Sequence, residues 1–239
     1  MTSSVLHGIY RQLPKPPSTN YATGQFNSGF LAKLSDASVV VDLGAKESRC
    51  KTVLGRQLLR YLSTDIAFNS SLDFVADAHV IPLRSESIDA VLCISVLMYC
   101  ENPFLVLDEI FRILKPGGLL YVNTAFVYRA AKDPDDYYRV SASGLRKLCQ
   151  RFEVIQSGFS RGPASTMADM ISHFCAILFC FNSKAVHSVL VDFFQWCFFW
   201  IKYCDRVVAR YQVADIIHSG AFFVGRKPII PAMQRGASG

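Results

Sequence analysis

Three carboxylates and a glycine turn are spaced along the chain as a nucleoside-binding site requires. Asp42 and Gly44 directly follow the apolar run at 39–41, and Asp65 and Asp77 lie further along. Glycine lets a backbone approach a ligand closely, and a carboxylate about 20 residues later accepts hydrogen bonds from ribose hydroxyls. The spacing predicts a nucleoside-type ligand, although each residue by itself is also typical of a turn or a solvated strand end.

A phosphate ligand is less favoured by the same stretch. The sequence VVVDLGAKESRC at 39–50 keeps only Gly44 and contains no G-x-x-x-x-G-K-[ST] loop. Such a loop supplies the backbone N–H groups that cradle phosphates. The turn is interpreted as a variant binding turn and not as a relic of one, because the backbone N–H groups that follow Gly44 can still face a ligand.

Alternating strand and helix patterns would bring these residues to one edge of a sheet. Helices are predicted from Pro103 to Lys115, ended by Pro-Gly-Gly at 116–118, and over 144–152 after a cap at Ser141 or Ser143. A first strand is predicted at 39–43, and a second short strand ends at 63–65. Further strands are predicted at 73–76, 88–95, 119–122, 152–155 and 221–224. This alternation predicts an α/β fold, a doubly wound, mostly parallel seven-stranded sheet with helices on both faces. Ligands of such sheets lie beyond the carboxyl ends of the strands.

The chain is expected to form one domain over residues 1–239. We divide it into an N-terminal arm at 1–33, a ligand-binding core at 34–160, a helical insertion or lid at 161–218 and a last strand at 219–228. The insertion is rich in Phe and Trp, and core packing is its first interpretation. A lid, a dimer surface and a peripheral membrane contact through residues 185–206 remain open. Lys184, Asp192 and Gln195 interrupt the apolar run too often for a spanning helix.

Composition narrows the class of protein further. The chain is 51% hydrophobic and 18% charged, which excludes disorder. Its net charge of +6 is not concentrated in any Lys/Arg run, so a nucleic-acid partner is not expected. Eight cysteines form no C-x-x-C pair and no zinc spacing. We therefore expect free thiols, no metal site, no secretory signal and a cytoplasmic location.

The order of several segments resembles a known family. These segments are VVVDLGA, STDI, VADAHVIPLRSESIDAVLCISVL, LDEIFRILKPGGLLYV and DPDDYYRVSASGL. Together they resemble the class I S-adenosylmethionine-dependent methyltransferases over about residues 35–160. More narrowly, they resemble the type-11 branch, including bacterial members with glycan or capsule functions. The resemblance implies S-adenosylmethionine as cofactor and a small-molecule or saccharide-like acceptor.

The resemblance also implies roles for individual residues. The turn would lie beside the methionine part of the cofactor, the next strand end would hold the ribose, the following loop would flank the adenine, and the fourth strand end would line the pocket near the sulfonium. The residues concerned are, in that order, Asp42, Gly44 and Ala45; Asp65 and Ile66; Asp77 and Ala78; and Ser95 and Val96. Backbone N–H groups of residues 46–48 can still serve the cofactor carboxylate.

Two departures from the family pattern concern catalysis. The first turn has lost further glycines, and the family's V-L-E-H after the fourth strand is replaced by VLMY at 96–99. The remaining candidates for an acid or base are His79, Asp133, Asp136 and Tyr137, each of which also has a purely structural interpretation. A catalytically inactive methyltransferase-like binding or scaffolding protein is the alternative. A nicotinamide-dependent oxidoreductase is disfavoured because G-x-G-x-x-G is missing.

Overall fold

A computed structural model describes most of the chain. It covers residue 30 and residues 33–34, 37–46, 60–130 and 134–229. Contacts divide the chain into two compact units. Of the described residues, those within 30–126, residue 130 and those within 134–160 and 220–229 belong to the sheet unit, and those within 127–129 and 161–219 belong to the helical unit.

Seven strands form the single sheet of the sheet unit. They are β1 Val39–Leu43, β2 Arg60–Asp65, β3 Phe74–Val75, β4 Ile88–Ile94, β5 Leu114–Ala125, β6 Glu153–Phe159 and β7 Gly220–Arg226. Their spatial order is β3-β2-β1-β4-β5-β7-β6. The pairs among β1 to β5 are parallel, whereas β7 runs antiparallel to both β5 and β6. This arrangement confirms the predicted doubly wound, mostly parallel seven-stranded sheet.

The central strands are apolar throughout because both of their faces are covered. Val41 and Val91 belong to the larger apolar cluster, which also holds the buried face of helix α1, Pro103–Ile113. Val40 and Leu92 point the other way, into a cluster with Phe30. Alternating side chains therefore serve two cores, as expected for a buried parallel sheet.

Helix α1 begins as predicted and ends earlier. Pro103 occupies its first turn, and the Asn102 side chain accepts hydrogen bonds from the next two free backbone N–H groups. Leu114 is already extended and pairs with Ile88, so β5 begins there and includes the Pro-Gly-Gly segment. The predicted helix and the predicted strand at 119–122 are both present. Only their limits were wrong, because strand pairing starts at Leu114, before the glycines. Phe104 in the first turn of α1 is exposed.

The later elements also differ in length from the prediction. Helix α2, Ala142–Leu148, is capped by Ser141, whose hydroxyl oxygen accepts a hydrogen bond from the Gly144 N–H. It ends before residue 152, the predicted limit. Strands β6 and β7 both extend beyond the predicted limits. β6 pairs with β7 as far as Phe159, and β7 pairs with β5 at Gly220 and with β6 as far as Arg226.

The helical unit is built mainly from two helices. They are α3 Pro163–Phe179 and α4 Lys184–Phe198, followed by a 3-10 helix Phe199–Cys204, helix α5 Asp205–Val208 and a 3-10 helix Gln212–Ile216. Buried Asp205 accepts hydrogen bonds from the first backbone N–H groups of α3, at 2.9 and 2.8 Å. The predicted core packing was wrong for α4, where Val191 is the buried residue. Within the described ranges, no helix is long and apolar enough to cross a membrane.

Candidate functional site

The parallel register brings the predicted site residues to one edge of the sheet. Leu43 pairs with Thr64 on one side and with Cys93 on the other, and Asp65 pairs with Val75. Gly44 and Ser95, which follow β1 and β4, therefore lie at the same carboxyl edge as Asp65. The topological switch point of a doubly wound sheet, where ligands bind, is at this edge.

Gly44 lies directly against Val96. It has φ of +70°, and a Cβ atom added to it would lie 2.4 Å from Val96 Cγ2. The chain leaves β1 through a hydrogen bond from Ala45 N–H to the Thr64 carbonyl oxygen, at 3.0 Å. Only glycine fits both the backbone conformation and the space. The first turn thus keeps one glycine at a position that admits nothing larger.

Ser95 ends β4 in a left-handed backbone conformation. Its φ is +59°, its side chain is exposed, and its N–H donates to the Asn123 carbonyl oxygen at 2.7 Å. Such a conformation costs on the order of 1–3 kcal/mol in a residue other than glycine, and it clusters at functional sites. The sequence offered no signal for this strain because serine carries no conformational signature comparable to glycine.

Asp65 presents a carboxylate oxygen beside exposed apolar side chains. Its Oδ1 accepts a hydrogen bond from Ala67 N–H at 3.1 Å, and its other oxygen has no hydrogen bond to any described residue. Ile66 and Phe68, on the loop that follows, are 70% and 83% exposed. Phe68 was not predicted as a site residue, and its one signal is an aromatic residue in the loop that follows the strand end. The loop therefore pairs a carboxylate acceptor with apolar surface.

Asp77 is held by its neighbour His79. Its Oδ1 accepts hydrogen bonds from His79 N–H at 2.9 Å and from His79 Nδ1 at 2.7 Å. The backbone hydrogen bond, and secondarily the ring, lower the pKa of Asp77. Ala78 between them packs against the larger apolar cluster. Asp77 is thus kept as a carboxylate.

Both ring nitrogens of His79 are engaged. While Nδ1 donates to Asp77, Nε2 accepts a hydrogen bond from Asn102 N–H at 3.3 Å. A general base needs a nitrogen that can take a proton from the substrate. This geometry disfavours the predicted catalytic role of His79 and favours its structural interpretation.

The segment with two other catalytic candidates, Asp136 and Tyr137, docks on the 3-10 helix Leu97–Tyr99 that follows β4, and Asp133 lies outside the described residues. The backbone N–H groups of Tyr137 and Tyr138 donate to the Met98 carbonyl oxygen, at 2.7 and 3.3 Å. Asp136 forms an ion pair with Arg139 and is largely buried, whereas the Tyr137 side chain is 56% exposed. Of these two candidates, Tyr137 is therefore the more accessible at this edge.

Asp42 forms a hydrogen bond with the neighbouring strand of the sheet. It is buried, and its Oδ2 accepts a hydrogen bond from the Tyr61 hydroxyl at 2.5 Å. Its predicted contact with a cofactor stays a prediction. The backbone carbonyl oxygen of the exposed Lys46 accepts a hydrogen bond from Asn69 Nδ2 at 3.0 Å. Glu47, the next residue of this turn, lies outside the described residues.

Three buried thiols belong to the apolar core next to the site. Burial raises the pKa of Cys100 to about 11 and that of Cys149 to about 12, and it also raises the pKa of Cys93. Such thiols are neutral and poor nucleophiles. Among the described residues, no group of three or more His, Cys, Asp or Glu side chains is placed to hold a metal ion.

Comparison with known proteins agrees with this geometry. Residues 24–122 match the type-11 family model described as "Methyltransferase domain". A malonyl-[acyl-carrier protein] O-methyltransferase of Methylococcus capsulatus is 28% identical over 169 residues, which are 66% of this chain and 57% of that protein. An enzyme of the same name from Marinomonas sp. is 28% identical over 108 residues, 38% of this chain and 39% of that protein. The chain thus spans about half the length of these curated relatives.

Solved structures share the fold. The [4+2]-cyclase SpnF superimposes with a TM-score of 0.55 at 16% identity, covering 95% of this chain and 93% of that one. Phosphoethanolamine N-methyltransferase 2 of Haemonchus contortus gives 0.54 at 15% identity, covering 83% and 50%. The sheet is therefore that of the class I methyltransferases. The match to the methyltransferase model covers residues 24–122 of this chain.

Proposed function

We propose that the protein is an S-adenosylmethionine-dependent methyltransferase that acts on a small-molecule or saccharide-like acceptor. The observation that carries this proposal is the close approach of Gly44 to Val96. It lies at the same sheet edge as Asp65, and all three residues fall within the matched residues 24–122. The fold by itself does not decide activity, since one structural neighbour is named a cyclase.

The side chains at this edge fit the parts of the cofactor. Asp65 has a carboxylate oxygen that is not hydrogen-bonded to described residues and can accept from ribose hydroxyls. Asp77 offers a second carboxylate, and Ile66 and Phe68 offer apolar surface for the base. The turn at Gly44 can bring backbone N–H groups to the methionine part. The bound cofactor supplies a methyl group on a positively charged sulfur.

The protein's main contribution would be to align donor and acceptor. Alignment of this kind supplies ~7–11 kcal/mol toward a bimolecular barrier. An oxygen acceptor also benefits from a base, and Tyr137 is the exposed candidate at this edge. Tyr137→Phe should lower kcat and leave cofactor affinity unchanged, because the substitution removes only the hydroxyl.

The second part of the proposal concerns the chemical class of the methyl acceptor. The names of both curated relatives specify a malonyl group on a carrier protein and methylation of an oxygen. A malonyl thioester therefore belongs beside saccharides in the acceptor panel. The predicted glycan- or capsule-type acceptor is supported by the segments that resemble that branch.

Calorimetric titration tests the cofactor part of the proposal. S-adenosylmethionine and its demethylated product should each bind with measurable heat and raise the Tm. If millimolar concentrations produce no heat of binding and no thermal shift, the proposal that the protein is an S-adenosylmethionine-dependent methyltransferase is excluded. Binding without turnover over the acceptor panel would favour the inactive binding protein, which the lost glycines and the VLMY segment at 96–99 motivate.

We also propose a cytoplasmic location without a nucleic-acid partner. The seven described cysteines are free, which supports a reducing compartment. A peripheral membrane contact through residues 185–206 belongs to the same proposal and accords with the exposed Trp196 and Trp200. Fractionation of cells tests it, and recovery from the secreted fraction would contradict it.

A further inference from the structure

The turn that joins α3 to α4 carries a compact set of exposed apolar side chains. We define the hairpin tip as residues 174–186. Phe181 at its apex is 90% exposed. The large apolar residues that are exposed there are Phe174, Ile177, Leu178, Phe179, Phe181 and Val186. Several large apolar side chains exposed on one turn are typical of a binding site for a protein or a membrane.

The backbone holds Phe181 in an unfavourable conformation. Phe181 and Asn182 have φ of 46° and 59°, both in the left-handed region. Asn adopts this conformation readily, whereas a bulky aromatic residue rarely does. The turn is nevertheless well ordered by hydrogen bonds, from Ser183 N–H to the Cys180 carbonyl oxygen at 2.9 Å and from Val186 N–H to the Ser183 hydroxyl at 3.4 Å. The structure thus retains a strained aromatic residue that points into solvent.

Charge around the tip favours an anionic partner. The sequence has no Asp or Glu from Met170 to Val191, and the one Lys or Arg there is the exposed Lys184, in addition to the histidines His173 and His187. A second copy of the chain would bring two such lysines toward each other across a two-fold contact. An anionic lipid surface would instead attract Lys184 while its hydrocarbon accepts the aromatic side chains.

The dimensions of the tip match an interfacial insertion. Five residues separate Phe174 from the last residue of α3 at Phe179, a rise of ~7.5 Å at ~1.5 Å per residue. Helices that lie in a membrane interface bury their apolar side chains by ~5–10 Å. The tip can therefore immerse its exposed apolar residues without any spanning segment.

We propose that the hairpin tip inserts into the interfacial layer of an anionic membrane. This contact is centred on residues 174–186 and so lies largely before the segment 185–206 that the sequence suggested. The proposal is independent of methyl transfer, because its contacts all come from the turn between α3 and α4.

Vesicle co-sedimentation of the full chain tests the proposal. The protein should sediment with vesicles of phosphatidylcholine and phosphatidylserine and several-fold less with phosphatidylcholine alone. Phe181→Asn should lower the partition coefficient about tenfold, because it removes one buried aromatic side chain. Its Tm should be unchanged or higher, because Asn fits the left-handed backbone.

A matched control is Phe104→Asn, which replaces an exposed phenylalanine on α1 and should sediment like the unmodified chain. The proposal is overturned if the unmodified chain stays in the supernatant with both vesicles, or if Phe181→Asn sediments equally well. A concentration-dependent dimer that Phe181→Asn dissociates would assign the surface to a second copy and also overturn it. Cofactor titration of the same variants reports separately on the methyltransferase proposal.

Discussion

At the residue scale, the contact between Gly44 and Val96 decides whether the first turn can function. A Cβ atom at position 44 would stand 2.4 Å from Val96 Cγ2, and the φ of +70° disfavours any side chain. Gly44→Ala should therefore lower the free energy of unfolding by about 1–3 kcal/mol. It should also weaken cofactor binding, because the turn must move. Thermal unfolding and calorimetry measure the two effects.

The collision and the backbone strain can be separated by a double variant. Val96→Ala removes the colliding Cγ2 atom, so Gly44→Ala combined with Val96→Ala should regain part of the lost stability. The part that is not regained reports the cost of the positive φ. Equal stability of Gly44→Ala and the unmodified chain would contradict the described contact.

Asp65 gives a second prediction at this scale. Asp65→Asn keeps the shape of the side chain and removes its charge, so hydrogen bonds to ribose hydroxyls lose their charge assistance. Such bonds contribute about 1.5–3 kcal/mol, and the Kd for the demethylated cofactor should rise at least tenfold. Asp108→Asn is the matched control, because Asp108 is an exposed carboxylate paired with Arg151. Equal losses in both variants would exclude a specific role for Asp65.

At the scale of elements, His79 joins the loop after β3 to the start of α1. Its ring bridges the Asp77 carboxylate and the N–H of Asn102, the residue that caps α1. Helix and loop are thus positioned relative to each other by one side chain. Both ring nitrogens of His79 are hydrogen-bonded in this link, and its predicted catalytic role stays a prediction.

The pKa of Asp77 measures this link. His79→Ala should raise the pKa of Asp77 toward its ordinary 3.8, because the ring no longer donates to the carboxylate. The remaining backbone hydrogen bond, which is the larger cause of the lowered pKa, keeps the return incomplete. Carbon-detected NMR titration of Asp77 checks this outcome, and an unchanged pKa in the variant would contradict it.

The sign of the pH dependence follows from the lowered pKa. Because Asp77 binds its proton less readily in the folded state, its contribution to stability is present above pH 3.8 and is lost as the pH falls through the lower folded value. The side chain is half exposed, so solvent screens the contribution and keeps it small. His79→Ala should reduce this acid-dependent loss.

At the scale of the whole molecule, the cysteines differ in how far their side chains are buried. Cys93, Cys100 and Cys149 are buried, whereas Cys197 and Cys204 on the helical unit are exposed. Burial raises the pKa of all three buried thiols, to about 11 for Cys100 and about 12 for Cys149. At pH 8, iodoacetamide should therefore modify the exposed pair in the folded protein.

Mass spectrometry of the alkylated peptides measures this pattern. The three buried thiols should react only after denaturant unfolds the sheet unit, because their thiolates are scarce and inaccessible. Reaction of Cys93 at the same rate as Cys197 in the folded protein would contradict the described core.

Much of the sheet could be predicted from local pattern. The limits of β1 match the prediction because a β-branched run between polar residues has one compatible structure. The limits of α1 and β5 did not, since Leu114 is apolar in either element and only its pairing with Ile88 makes it a strand. The helical spacing of apolar residues likewise predicted α4 as a helix. It did not predict that most of its apolar side chains are exposed.

The sequence by itself determined the order of strands and helices along the chain, because their alternation is a local pattern. In a doubly wound sheet that order places Gly44, Asp65 and Ser95 at one edge. Tertiary structure decided the rest. It occupied both nitrogens of His79 and set Val96 against Gly44. It also left Phe181 exposed on a strained turn. These outcomes depend on contacts between residues distant in the chain and on backbone dihedrals, neither of which residue type encodes.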